Sequence, residues 1–277
     1  MKTLVVYDSF FVYTGQKDSS KRAEKSKSNH RKGTEMDELT RKLPQQTDKT
    51  IEDALDEFLE EQRKRLKRST MRKYEDIVSL FKSCLNNYAY QYLDEQEEAL
   101  FDRLYEANGN EHREFCQIFG PEKITENVSE FLGYFMVRKV MCGKELMQAA
   151  GTVTKKLGKW LKEKGYIESE SAEDIVSSGG TAARELPAAE ELARMLDDYA
   201  DYTAVDVDSG NVIEDHFTID AIEPGKLRLS SIYEDNEIKV PVSREISEAS
   251  RVGWSFSGAI GKTRKGWRIL EAWNVYP

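Results

Sequence analysis

From Thr50 to Ile167 apolar residues recur every third or fourth position through one segment after another, and the run closes on KKLGKWLKEKGYI. A period of three to four is the signature of helices that bury one face, so this stretch of about 120 residues is expected to form a helical bundle. After Gly210 the pattern changes to period two with turn residues between short runs, which requires strands. The chain is therefore expected to be α+β and multidomain.

The first helix is predicted to begin near Thr50, with Glu52, Asp53, Asp56 and Glu57 in the opening turns where the helix dipole favours anions. It ends in the basic run RKRLKRS, a sign of charge that the C-terminal end of a helix dipole accepts without any ligand. Ser69 or Thr70 is expected to cap a second helix with Tyr74, Ile77, Val78, Phe81 and Leu85 inward. A third runs from about Asp94 to Ala107, and another starts at Thr125 after the break at Gly120 and Pro121. Lys144 to Lys164 makes the last helix, with Val153, Leu157, Trp160 and Leu161 as its core stripe.

Residues 169–186 are acidic and contain Ser and Gly, so a linker is expected there, and Pro187 is expected to open a further helix. Beyond it, HFTIDAI, LRLSSIY, EIKVPVS, VGWSFSGAIGK and WRILEAWNVYP read as five strands, with one short helix at Ser243–Ser250. Such a set suggests a small SH3-like or OB-like β-barrel over residues 187–277. The bundle occupies 50–168. Residues 1–49 are expected to be a disordered basic arm, because Lys17–Lys49 holds almost no large apolar residue; its cluster KRAEKSKSNHRK could track phosphates. A short strand is allowed in residues 1–15, although nothing after VVYDS continues a βαβ pattern.

The formal net charge is −9, distributed as +4 over residues 1–50, −4 over 51–170 and −9 over 171–277. A protein wrapped in nucleic acid over its whole surface would be basic throughout, so any such contact here must use local basic stripes. The apolar start lacks the basic flank of a signal peptide, and no apolar run nears the ~18 residues a bilayer crossing needs. A cytoplasmic protein without membrane contact is expected. Cys84, Cys116 and Cys142 are widely spaced among apolar residues and are read as free thiols, with neither a disulfide framework nor a metal site. GAIGKT, Gly258–Thr263, echoes a phosphate-binding loop, but Phe256 stands where its first glycine belongs, and no cofactor is expected.

A helix pair joined through STMRKY (Ser69–Tyr74), followed by helices that end in WLKEKGYI (Trp160–Ile167), resembles the N-terminal core-binding, SAM-like domain of phage integrases and other tyrosine recombinases. The resemblance covers residues 50–167 and implies duplex DNA as partner, clasped through helix ends and basic side chains. By position it implies contacts from Lys67, Arg68, Ser69, Thr70, Arg72 and Lys73 at the first interhelical turn, and from Lys155, Lys156, Lys159 and Lys162 on the last helix. The spacing 155, 159, 162 does place three lysines on one face, opposite Val153, Leu157 and Leu161.

The family's catalytic domain is missing from this pattern. It needs several Arg, a Lys, a His-x-x-Arg pair and a nucleophilic Tyr aimed at one phosphate. After Gly165 the only histidine is His216, with no arginine three residues on, and Tyr276 lacks sequence partners that would activate it. The expectation is a non-catalytic DNA-binding protein, an accessory or regulatory factor. The alternative is a protein-interaction adaptor on the same helical scaffold, which the acidic total favours. A second candidate contact, to nucleic acid or a protein partner, is the aromatic and basic concentration of Trp254, Lys262, Arg264, Lys265, Trp267 and Arg268 in the barrel.

Overall fold

The computed structural model describes residues 49–203, 207, 211–232 and 234–277. The basic arm and the short strand expected before Lys49 lie outside the described residues.

Thr50 caps the first helix, α1 (Ile51–Arg63). Its hydroxyl accepts the Asp53 amide at 3.1 Å while the Asp53 carboxylate accepts the Thr50 amide at 3.2 Å, so two N–H groups without helical partners are satisfied reciprocally. The next helix, α2 (Arg68–Tyr88), starts earlier than expected: Lys67, not Ser69 or Thr70, is the N-cap, and it makes no side-chain capping bond. Asp94 caps α3 (Glu95–Tyr105) through the Gln96 and Glu97 amides, and a single turn, α4 (Phe115–Ile118), follows. The helix expected from Thr125 is irregular. It divides into 3-10 turns at Pro121–Asn127, π-type turns at Glu130–Phe135 and a terminal turn, α5 (Met136–Arg138). Pro121 removes a donor at its start and Gly133 weakens its middle, while Phe131, Leu132, Phe135 and Met136 hold it to the core.

α6 (Lys144–Lys164) has the expected bounds. Gly165 ends it with φ of 71°, the left-handed conformation that glycine adopts without a Cβ clash, and its amide returns to the carbonyls of Leu161 and Lys162.

The expected linker is instead the first half of a 34-residue helix, α7 (Ser169–Tyr202), with Pro187 in its interior rather than at its start. Small residues explain the difference. α6 and α7 pack as an antiparallel hairpin in which a Cβ on Gly151 would come within 2.6 Å of the Gly179 carbonyl and Ala183 Cα, and one on Gly158 within 2.7 Å of Ile175. Glycine is present because the two helices meet closely there, not because the chain is loose. Ile175, Ala182 and Leu186 belong to the helical core, whereas Ala189, Leu192, Leu196 and Ala200 belong to the core over the sheet. One helix of about 50 Å thus serves both cores.

The sheet consists of β1 (Val212–Glu223), β2 (Lys226–Ser231), β3 (Glu234–Pro241), β4 (Ser255–Thr263) and β5 (Gly266–Tyr276), with α8 (Arg244–Ala249) between β3 and β4. All pairings are antiparallel in the order β3-β2-β1-β4-β5. The β-barrel expectation is corrected: the sheet is open. Register shifts in the β1–β2, β2–β3 and β4–β5 ladders curl it until β3 approaches β5, but no ladder joins these edges among the described residues. α7 covers the apolar concave side instead, so the core forms without closure.

Candidate nucleic-acid interface

The α1–α2 turn concentrates positive charge where helix electrostatics oppose it. Arg63, Lys64 and Arg65 end α1, which the dipole favours, but Lys67 and Arg68 then occupy the N-cap and first position of α2 with no acidic residue in the first turn. Arg63, Lys64, Arg65, Lys67, Arg68, Ser69, Thr70 and Arg72 are all exposed. Arg63, Arg68 and Arg72 line a shallow concavity of about 420 Å³ whose apolar part comes from Leu66 and Met71. Its single carboxylate, Glu75, accepts from Arg63 at 3.0 Å. Among the described residues no ion pair engages Lys67, Arg68 or Arg72. Lys73 is committed: it bonds Glu145 at 2.8 Å and links the start of α2 to the start of α6.

Lys155, Lys159 and Lys162 lie exposed on α6, and Lys156 is half-buried beside them. Lys162 faces Glu173 of α7 at 3.6 Å, and the stem of Lys155 runs alongside Gly180. The stripe therefore borders the α6–α7 seam rather than standing alone. Lys164, on the same helix, has a structural role: it bridges Glu57 and Glu61 of α1, while Trp160 donates to Glu61 at 2.7 Å and Tyr166 to Glu57 at 2.7 Å. Lys49, then Lys164 and Tyr166, hold the Glu57 carboxyl down at about 2.

Arg63 and Arg65 were absent from the sequence-based set because the helix dipole already accounted for them. The signal that could have included them is continuity of the basic run across the turn into α2.

The second candidate surface does not hold together. Trp254 is 5 % exposed and lies in the sheet core with Arg251 over its ring at 5.1 Å, so it cannot stack a base. Trp267 is packed against the same core, and Lys262 sits 5.3 Å over its ring. Arg268 is half-buried and donates to the Trp267 carbonyl at 2.8 Å. Arg264 and Lys265 are exposed at the hairpin tip, and Lys262 is exposed but lies over the Trp267 ring.

No family model, curated protein or solved structure matches the chain. The similarity to core-binding domains rests on the residues quoted for it. Among the described residues no His/Cys/Asp/Glu group is arranged to hold a metal ion, and no helix is long and apolar enough to cross a membrane. Cys84 and Cys116 are buried free thiols, and burial pushes the half-buried Cys142 thiol up to about 12, so none is a ready nucleophile at neutral pH.

Proposed function

We propose that this protein binds duplex DNA without cleaving it, as an accessory or regulatory factor, through the α1–α2 turn with the α6 lysines alongside. The observation that carries the reading is the concavity of Arg63, Arg68 and Arg72 at a helix N-terminus that has neither a side-chain cap nor an acidic first turn. Unsatisfied N–H groups and the guanidinium groups of Arg68 and Arg72, free of ion pairs among the described residues, converge there, and both are donors to phosphate oxygens. The SAM-like core-binding resemblance points to the same turn. Lys67, Ser69 and Thr70 would add phosphate contacts that position the duplex, and Lys155, Lys156, Lys159 and Lys162 would extend them along α6. Lys73 would contribute through the position it gives α2. The acidic second half of the chain favours the adaptor reading, in which the sheet meets a protein partner and the basic turn is merely solvated.

The test is binding of a labelled duplex by the whole chain at low salt, beside Arg68→Glu/Arg72→Glu. The whole chain is required because α7 supplies part of the helical core. Loss of binding in a variant that melts normally supports the proposal. Absence of binding by the parent protein, with pull-down unaffected by the substitutions, supports the adaptor.

A further inference from the structure

Away from the basic turn, four elements bring unlike polar groups to one spot between the helical unit and the sheet. Arg138, on α5, donates to the Tyr276 hydroxyl of β5 at 3.4 Å. The Tyr276 ring lies 5.2 Å from the His216 ring of β1. Tyr134, one turn before Arg138, joins Tyr276 in favouring the charged guanidinium. Strand register supplies the floor: Ser257 of β4 pairs with His216 on one side and with Asn274 of β5 on the other, so the three side chains project on the same face. Ser257 is 2 % exposed and its Oγ has no hydrogen-bond partner among the described residues. A buried hydroxyl left without a partner costs about 1–3 kcal/mol, which a bound group within its reach would recover.

The nearby charges make that group an anion. Arg138 is half-buried and its immediate neighbours Tyr134, Tyr276, Ser257 and Asn274 bring no negative charge; Glu214 and Glu271 share the sheet face two residues farther along, where Glu271 accepts from the Trp273 indole at 3.0 Å, and Glu130 acts on Tyr134 from the helical side. Asp215 follows β1 to the opposite face from His216, because successive strand residues alternate, and is already held by the Ser231 hydroxyl at 2.5 Å and the Ile232 amide at 3.0 Å. His216 keeps an exposed edge; the partial desolvation of its ring first, and then Arg138, lower its pKa below the ordinary 6.5, against an opposing pull from Asp215.

We propose that Arg138, His216, Ser257 and Tyr276 form a binding site for a phosphate group, with Tyr134 and Asn274 at its rim. A tetrahedral oxyanion matches donors that arrive from α5, β1, β4 and β5, whereas a flat carboxylate would leave some of them unused. The site shares no residue with the proposed DNA surface and stands or falls separately. Its phosphate can belong to a terminal phosphomonoester or to a phosphodiester, and the probes below separate the two.

The experiment follows the His216 imidazole C–H signals of the full chain by NMR across pH, with inorganic phosphate, with dimethyl phosphate, and with sodium chloride at matched ionic strength. A bound anion raises the His216 midpoint by about one unit, while His112 stays in place. The rise with inorganic phosphate alone assigns a terminal phosphate, and a rise with both probes admits a diester. Arg138→Gln abolishes the rise, and Tyr276→Phe, a smaller change, weakens the apparent affinity several-fold while leaving the fold intact. A midpoint that neither probe moves more than sodium chloride does would overturn the proposal. So would an undiminished rise in a folded Arg138→Gln or in Tyr276→Phe.

Discussion

The helical unit and the sheet unit share α7 but hold it in opposite ways. Toward α6, the helix presents Gly179, Ala183 and Ala172, and the two backbones approach until no Cβ fits at Gly151, while the Ile175 side chain fills the space a Cβ would need at Gly158. Toward the sheet, it presents Leu192 and Leu196, fully buried side chains that fill space between layers. A bulky face tolerates trimming at a graded cost, while a glycine seam tolerates no addition. The units also differ in what they show to solvent. Arg68 and Arg72, which no ion pair engages among the described residues, line a concavity in the first, whereas in the second Trp254, Trp267, Lys262 and Arg268 are engaged with one another or the core and only the hairpin-tip cations Arg264 and Lys265 stand clear.

The sharpest break is Gly151→Val, which forces α6 off α7 and should cost about 3 kcal/mol or more, enough to lower the melting temperature of the whole molecule. Leu196→Ala should cost about 2–3 kcal/mol by leaving a cavity under the sheet. Because α7 belongs to both cores, calorimetry of either variant should show both units melting together; two separated transitions would mean that each unit folds on its own.

Part of this contrast was legible before the structure. Thr50 with Asp53 and Gly165 after Leu161 are local signals, and α1 begins and α6 ends where those signals put them, although the helical core continues into α7 as far as Leu186. The five strands follow from period two and the turns at Gly225 and Gly266, whose φ values of 76° and 108° require glycine. The first half of α7 was not legible, because Ser, Gly and Ala make both flexible linkers and close helix pairs. Only the facing Gly151 and Gly158 decide between them. Closure of the sheet depends on how far four bulges curl it, which strand patterns do not encode. The α1–α2 cations were visible as a basic run, but their partners were not: Lys73 is neutralised by a residue 72 positions away, and Arg68 and Arg72 are not. Trp254 looked available and is core. Arg138, His216 and Tyr276 come from distant segments, so no motif could have joined them.

Smaller effects separate the surfaces. Arg68→Glu/Arg72→Glu should weaken duplex binding at least about tenfold, equivalent to about 1.4 kcal/mol, with little change in melting temperature. Arg264→Gln/Lys265→Gln at the hairpin tip should change it less than about twofold if phosphate contacts are confined to the helical unit. Titration of stability offers a finer comparison. The Glu57 carboxyl is lowered in the folded state to about 2 by Lys49, Lys164 and Tyr166, so its contribution is complete above the ordinary carboxylate value and is lost as pH falls from about 4.5 to about 2. Glu57→Gln should therefore lower stability at neutral pH, leave it nearly unchanged at pH 2, and flatten the acid limb of a pH–melting curve.

The most direct test is the slope of log binding constant against log salt for duplex DNA, measured for the whole chain and for Arg68→Gln/Arg72→Gln. Each phosphate neutralised adds about 0.9 to the magnitude of that slope, so the substituted protein should bind more weakly with a slope shallower by about two. Equal slopes, or no measurable binding by the parent protein at low salt, would contradict the assignment of the α1–α2 turn as the DNA surface.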